Sequence, residues 1–480
     1  MRAGERAMGL DVAAAVARFE AAMALATPGH PDRADILVRF AQTATYLDRF
    51  DETFATLTEA ITEYGARGDW RSQARALVVM ARAAGLDVDS HEERATSLDR
   101  ALALLADHEP TQELADALTE RGIDLYFASR TAEAIEILDR ALAIASELGL
   151  PTPVRTLGFR GNARLDYGHA AGIDDMRAAI ALSVATGQGR DIAINKVNTG
   201  VWTSLYEGPE AGMAVIREAI DDAARFGFAS LADGMTLMSL QILEDQGAYD
   251  DALETWDRLN VPGEPAMLQA HGAQYRMYAR RGRRDEALAG VDELEEIGRR
   301  ESVDPEYRVN SLATAAVIRS AFGDLESGCG LIEELLTIPD GRVTQSHRAT
   351  RLPSMVRIAL DAGDGDLAER VIQDLEPRFP YAEHAQVAAR ATVAEARGRH
   401  EDALAGYRDA ASRWERFTMP LEEGYARLGE ARCLIGLGRG DDAADPLARG
   451  RAIFEGLGVV GALTQVEAVQ GAAVRRPINR

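Results

Sequence analysis

The sequence predicts an all-α fold, a right-handed α-solenoid built from about eleven consecutive helix pairs. Three observations carry that expectation: a turn glycine that recurs at near-regular intervals, a composition poor in strand formers, and a length of 480 residues. So long a chain exceeds one ordinary compact core, so it divides into several domains or extends as an array. Hydrophobic residues make up 46% but aromatics only 6%, while alanine, leucine, glutamate and arginine dominate. Small side chains of this kind let short helices approach closely.

The repeat is clearest in the second half. Glycines stand at Gly247, Gly282, Gly323, Gly363, Gly398 and Gly438, in steps of 35, 41, 40, 35 and 40 residues. Five residues after each comes a small residue: Ala252, Ala287, Gly328, Ala368, Ala403 and Ala443. Four intervals are nearly one phrase: Gly247-Ala-Tyr-Asp-Asp-Ala252, Gly282-Arg-Arg-Asp-Glu-Ala287, Gly398-Arg-His-Glu-Asp-Ala403 and Gly438-Arg-Gly-Asp-Asp-Ala443. The physics is a helix stop followed by a helix start. Glycine accepts the left-handed conformation that ends one helix, and the acidic pair then sits against the positive dipole end of the next. The small residue belongs where two helices cross closely.

This phrase resembles the tetratricopeptide repeat, in which Gly-x-Tyr-x-x-Ala joins the first helix of a pair to the second. A further family feature, a small residue seven positions on, is met at Ala141, Ala410 and Gly450. Looser copies run backwards: residues 129–134 fit the phrase, and Leu98-Asp-Arg-Ala-Leu-Ala-Leu-Leu105 is nearly repeated as Leu138-Asp-Arg-Ala-Leu-Ala-Ile-Ala145. Steps longer than the family's ~34 residues imply lengthened helices or loops.

In chain order, residues 1–33 read as an incomplete N-terminal helix pair, residues 34–458 as the tetratricopeptide-like superhelix, and residues 459–480 as a C-terminal capping helix and tail. Residues 11–26 look like the second helix of a pair whose first is largely missing. Because an uncovered end exposes apolar surface, that opening is expected to continue something longer or to be covered by a partner. The opening Arg2-Ala-Gly-Glu-Arg-Ala7, running into Ala14-Ala-Val-Ala-Arg-Phe-Glu-Ala-Ala-Met-Ala-Leu25, resembles the start of the helical region in large bacterial signalling ATPases. Those include proteins with a class III nucleotide cyclase and transcription activators of the LuxR type. The close, Ala431-Arg-Cys-Leu-Ile-Gly-Leu-Gly438 and then Ala452-Ile-Phe-Glu-Gly-Leu-Gly458, is similar to the end of the same regions. The resemblance implies the regulatory arm of a signalling or transcription system, without the cyclase, ATPase or DNA-binding modules.

The net charge of −24 repels phosphate backbones and anionic headgroups, so neither direct nucleic-acid binding nor membrane attachment is expected. Cys329 and Cys433 form no Cys-x-x-Cys motif, no signal-peptide core opens the chain, and no run approaches the roughly 18 apolar residues of a membrane span. A cytoplasmic location is the expectation, while the oligomeric state is left open. A P-loop needs lysine after glycine, and the sole lysine, Lys196, follows Asn195. The glycine-rich Gly436-Leu-Gly-Arg-Gly440 follows a helix rather than a strand and reads as a repeat linker. Histidines His91, His169, His271, His347 and His384 are scattered singly, without metal-ligand spacing. Acidic pairs such as Glu295-Glu296 are explained by helix starts and solvated faces. No catalytic residue, metal site or cofactor is expected, and the chain is read as a non-enzyme.

What remains is surface. In the family the first helix of each pair lines the concave groove. Six residues before Gly282, Gly363 and Gly438 stand Arg276, Arg357 and Arg432, and Arg280 lies one turn beyond Arg276. Such a ladder suits an acidic peptide, because guanidinium forks grip carboxylates in paired hydrogen bonds. The competing reading makes these arginines surface residues paired with neighbouring acids, since Val317 and Thr392 hold the same position in the intervening repeats. A second candidate takes Gly208 as the turn and points Asn195, Asn198, Trp202 and Tyr206 into the groove as peptide-backbone clamps and aromatic anchors. Trp202 as plain core packing is the alternative there. The functional expectation is a non-catalytic scaffold binding a peptide or partner protein; a small-molecule effector sensor on the same superhelix is the rival.

Overall fold

The computed structural model describes residues 12–86, 90–128, 130–259, 268–300, 305–338 and 345–475. The opening stretch 1–11, the first residue of the 129–134 phrase, the tail beyond residue 475, and the side chains of His91 and His271 lie outside the described residues.

The turn glycines act as helix stops. Gly247, Gly282, Gly323, Gly363, Gly398 and Gly438 all have positive φ, between 71° and 91°. At Gly247 the closure is complete: its N–H donates to the Glu244 carbonyl at 3.0 Å and the Ala248 N–H to the Leu243 carbonyl at 2.9 Å. Helix starts are capped in turn, as where the Asp364 carboxylate accepts the Leu367 N–H at 2.8 Å and Asp324 accepts that of Ser327 at 3.2 Å.

These stops and starts produce an all-α chain. After α1 (Val12–Leu25), the helices pair consecutively: α2 (Arg33–Ala44) with α3 (Phe50–Arg67), α4 (Trp70–Ala84) with α5 (His91–Leu105), and α6 (Gln112–Phe127) with α7 (Thr131–Glu147). The series continues through α8 (Val154–Asp166) and α9 (Gly172–Thr186), α10 (Gly189–Tyr206) and α11 (Pro209–Arg225), then α12 (Ala229–Asp245) and α13 (Tyr249–Leu259). Next come α14 (Leu268–Arg280) with a broken second helix, α15 (Arg284–Leu288) and α16 (Val291–Arg299), then α17 (Pro305–Ala321) with α18 (Leu325–Leu336). Three more pairs follow: α19 (Gln345–Asp361) and α20 (Gly365–Gln373), α21 (Pro380–Ala396) and α22 (His400–Arg416), α23 (Pro420–Gly436) and α24 (Ala444–Leu457). A last helix, α25 (Val460–Arg475), packs on α23 and α24. The predicted fold class, an all-α solenoid of consecutive helix pairs, is the one observed.

The small residues stand where the repeat requires them. Ala252, Ala287, Ala368 and Ala403 are fully buried, and a methyl group added at Gly328 would collide with the Ser320 hydroxyl. Two second helices depart from the expected phrase. The helix after Gly282 breaks at Gly290, whose missing side chain leaves room for the Tyr275 ring. After Gly438, Asp441 and Asp442 sit in a short 3-10 turn, because Gly440 is a poor helix former and α24 begins only at Ala444.

The chain forms two compact units. The first comprises Met1–Thr199 and Glu218–Ala232, the second Gly200–Arg217 and Asp233–Arg480. In the first, Tyr46 after α2 meets Arg190 at the start of α10, with the guanidinium 4.4 Å from the ring centre. The second also closes on itself. Gly208 abuts the Phe417 backbone, Gly247 abuts Leu457 and Pro420, and Gly282 abuts Val460.

Candidate functional site

The four arginines of the predicted ladder all lie in the second unit, and each grips a carboxylate of the same chain. Arg276 forks Glu244, with Nε to Oε1 at 2.9 Å and Nη2 to Oε2 at 2.5 Å, and donates Nη1 to the Thr314 hydroxyl at 2.7 Å. Arg280 adds a bond to Glu244 Oε1 at 2.6 Å and reaches the Tyr249 hydroxyl at 3.2 Å. Arg432 forks Glu395 at 2.6 and 2.8 Å, and the Tyr407 hydroxyl donates to that carboxylate at 2.6 Å. Arg357 forks Glu422 at 2.6 and 2.8 Å, its guanidinium lying 4.0 Å from the Tyr425 ring centre.

A register rule underlies two of these pairs. Glu244 and Glu395 each stand three residues before a turn glycine, and each binds the arginine six residues before the glycine of a following repeat. Ser320 holds the corresponding place before Gly323. With no carboxylate there, Arg357 turns instead to Glu422, 65 residues further along the chain. The acid pairing of the competing reading thus describes the geometry, but Arg276 is buried rather than on the surface; the glutamates three residues before the glycines were the unread signal.

Accessibility separates the four. The side chains of Arg276 and Glu244 are 2% and 1% exposed and that of Arg280 15%, whereas those of Arg357 and Arg432 keep 21% and 32%. Burial raises the Glu244 carboxyl, but Arg276 and Arg280 outweigh it and hold the group down at about 2. Its neighbour Asp245 fares oppositely: burial first, and then the Glu244 charge, push it up to about 7. Burial and the nearby Arg276 lower the Arg351 guanidinium to about 10. This concentration of buried charge was not legible from the repeat pattern, because Glu244, Asp245 and Arg351 come from α12 and α19, far apart in sequence.

The second predicted cluster is divided between the units. Asn195, in the first, is buried against Gly158 and donates its amide to the Asp191 carbonyl of its own helix at 2.8 Å; Asn198 is half-buried. Trp202 and Tyr206, in the second, pack on Phe379 with ring centres 6.1 and 6.2 Å away, and Trp202 is buried. Trp202 therefore serves the core, the alternative named for it.

Among the described residues no three of His, Cys, Asp and Glu are grouped to hold a metal ion, and no helix is long and apolar enough to cross a membrane. His384 packs between Trp414 and Phe417, where burial and then Arg413 and Arg416 lower its pKa to about 4. Both cysteines are free, and burial pushes the Cys433 thiol up to about 12.

No family model matches the sequence, and no curated protein matches it. Among solved structures, the crystal structure of the APC/C hetero-tetramer Cut9-Hcn1 is similar over 96% of this chain and 92% of that one, at 13% identity and a TM-score of 0.51. The human IFIT1 dimer with m7Gppp-AAAA is similar over 83% of this chain and 90% of that one, at 13% identity and a TM-score of 0.45. The first likeness establishes a tetratricopeptide-like solenoid and speaks to the fold alone; the second carries no argument.

Proposed function

We propose that this chain is a non-catalytic interaction scaffold that binds an acidic segment of a partner protein. The observation that carries the reading is the arginine set of the second unit. Its forks hold carboxylates of the chain's own glutamates, which supports the reading that they suit a partner's carboxylates. A partner carboxylate would first meet Arg357 and Arg432, which retain exposed surface, and would reach Arg276 and Arg280 only by replacing Glu244. Asn198 and Tyr206, both half-buried, are the members of the second cluster left to contact a partner; Asn195 and Trp202 are held inside. The similar solved structure is itself a hetero-tetramer, Cut9 with Hcn1, which agrees with a scaffold that works by holding other chains. A regulatory arm in a bacterial signalling or transcription system remains the setting we infer from the resemblance at residues 2–25 and 431–458.

The test is fluorescence anisotropy with a labelled acidic octapeptide and its amidated Gln/Asn counterpart. Selective binding of the acidic peptide, weakened at least tenfold in an Arg357→Ala/Arg432→Ala double variant, is expected. Equal binding by that variant would remove these arginines from the site.

A further inference from the structure

The first helices of the pairs in the first unit carry a charged cluster that the partner-binding reading does not use. Five residues on or just after the successive first helices converge there: Tyr46 just after α2, Arg82 in the last turn of α4, Glu120 in α6, Arg155 in the first turn of α8, and Arg190 at the start of α10. Arg82 Nε and Arg155 Nε both donate to the same Glu120 oxygen, at 2.9 and 2.8 Å, and Arg155 Nη2 reaches the other oxygen at 3.1 Å. Glu120 is 1% exposed, whereas Arg82 and Arg155 keep 34% and 31% of their side chains accessible.

One carboxylate thus anchors two guanidiniums and satisfies few of their ten N–H donors. Arg190 lays its face on Tyr46, which leaves its N–H edge available, and no carboxylate lies within ion-pair distance of it among the described residues. Burial lowers the Arg190 pKa, and Arg155 and Arg82 add to the lowering while Tyr46 and Asp191 oppose it. Asp116 acts on Arg82, Asp191 on Arg190 and Arg94 on Glu120, and neither aspartate forms an ion pair among the described residues. Burial raises the Asp116 carboxyl, and Arg82 opposes that shift.

We propose that Arg82, Arg155 and Arg190 form a binding site for the phosphoryl group of a small molecule, closed on one side by Tyr46 and oriented by Glu120. A carboxylate is planar and is satisfied by one guanidinium fork. Three guanidiniums arriving from three helices match a tetrahedral oxyanion, which offers an oxygen to each. Glu120 fixes Arg82 and Arg155 before the ligand arrives, so little side-chain ordering is left for binding. This site is in the other unit from the arginines assigned to a partner, so either proposal can fail while the other stands.

The experiment is isothermal titration calorimetry of the full chain with inorganic pyrophosphate, with ATP and with citrate. Pyrophosphate and ATP are expected to bind at one site per chain and citrate at least tenfold more weakly. Equal affinities for the first two identify the phosphoryl group as the whole recognised unit, and tighter ATP identifies a nucleotide as its source. Arg190→Gln leaves both Glu120 pairs in place and should weaken pyrophosphate at least tenfold with an unchanged melting curve. Arg190→Lys, which keeps the charge without the planar fork, provides a second variant and should fall between. No heat with pyrophosphate or ATP at millimolar concentration, citrate equal to pyrophosphate, or an unchanged affinity in both variants would overturn the proposal.

Discussion

Removing the Glu244 carboxylate is the most informative perturbation of the second unit. Glu244 accepts two bonds from Arg276 and one from Arg280, and Glu244 and Arg276 are almost wholly inaccessible. Glu244→Ala leaves two guanidiniums desolvated without their shared counter-ion. Breaking a buried pair from one side costs about 3–5 kcal/mol, more than the pair itself contributes relative to a well-packed apolar core. With a urea slope of about 3 kcal/mol per M, the unfolding midpoint of this unit should fall by roughly 1 M or more. Fluorescence of Trp202, Trp256 and Trp414 reports that transition, since all three lie in the second unit. The pH dependence sharpens the test. Glu244 is held at about 2 against an ordinary 4.5, so its contribution is fully present above about 4.5 and is lost as pH falls through 2. Asp245 is raised to about 7 from 3.8, so it works the other way: stability falls as pH climbs from about 4 through 7. Glu244→Gln removes the charge that helps raise Asp245 and should flatten that decline. A Glu244→Ala midpoint within 0.2 M of the parent, or an unchanged pH profile in Glu244→Gln, would show that Glu244 is not the counter-ion on which the second unit depends.

Other expectations follow from the same geometry. Asp245→Asn should stabilise the second unit at pH 8 more than at pH 5, measured by urea midpoints at the two values, because only the ionised carboxyl is disfavoured there. Gly247→Ala forces an alanine to φ near 77° and pushes a methyl group against Leu457 and Pro420, so it should cost more than Gly363→Ala. The latter meets open space at φ near 80° and should cost about 1–2 kcal/mol, both read from thermal melts. Ala403→Leu overpacks a fully buried helix crossing and should destabilise by about 1–3 kcal/mol in the same assay.

Local physics made the architecture legible. The glycine–acid–alanine phrase encodes a stop, a start and a close crossing within six residues, and each of those is a short-range matter. It therefore located the helix boundaries around Gly247, Gly282, Gly363 and Gly398 and the buried alanines beside them. The break at Gly290 was not foreseen, since it answers to the Tyr275 ring of the preceding helix rather than to its own neighbours.

The arginines mark the boundary between the two kinds of information. Their recurrence six residues before a turn glycine could be counted, and it placed Arg276, Arg357 and Arg432 on the first helix of their pairs. Whether a guanidinium meets solvent or a carboxylate depends on the position three residues before another glycine, and on how far each unit curls upon itself. Glu422 reaches Arg357 only because the second unit closes, and Tyr46 reaches Arg190 only because the first does. Periodicity along the chain specifies helices and their neighbours; charge neutralisation and access are settled by groups that become neighbours only when each unit packs distant helices together.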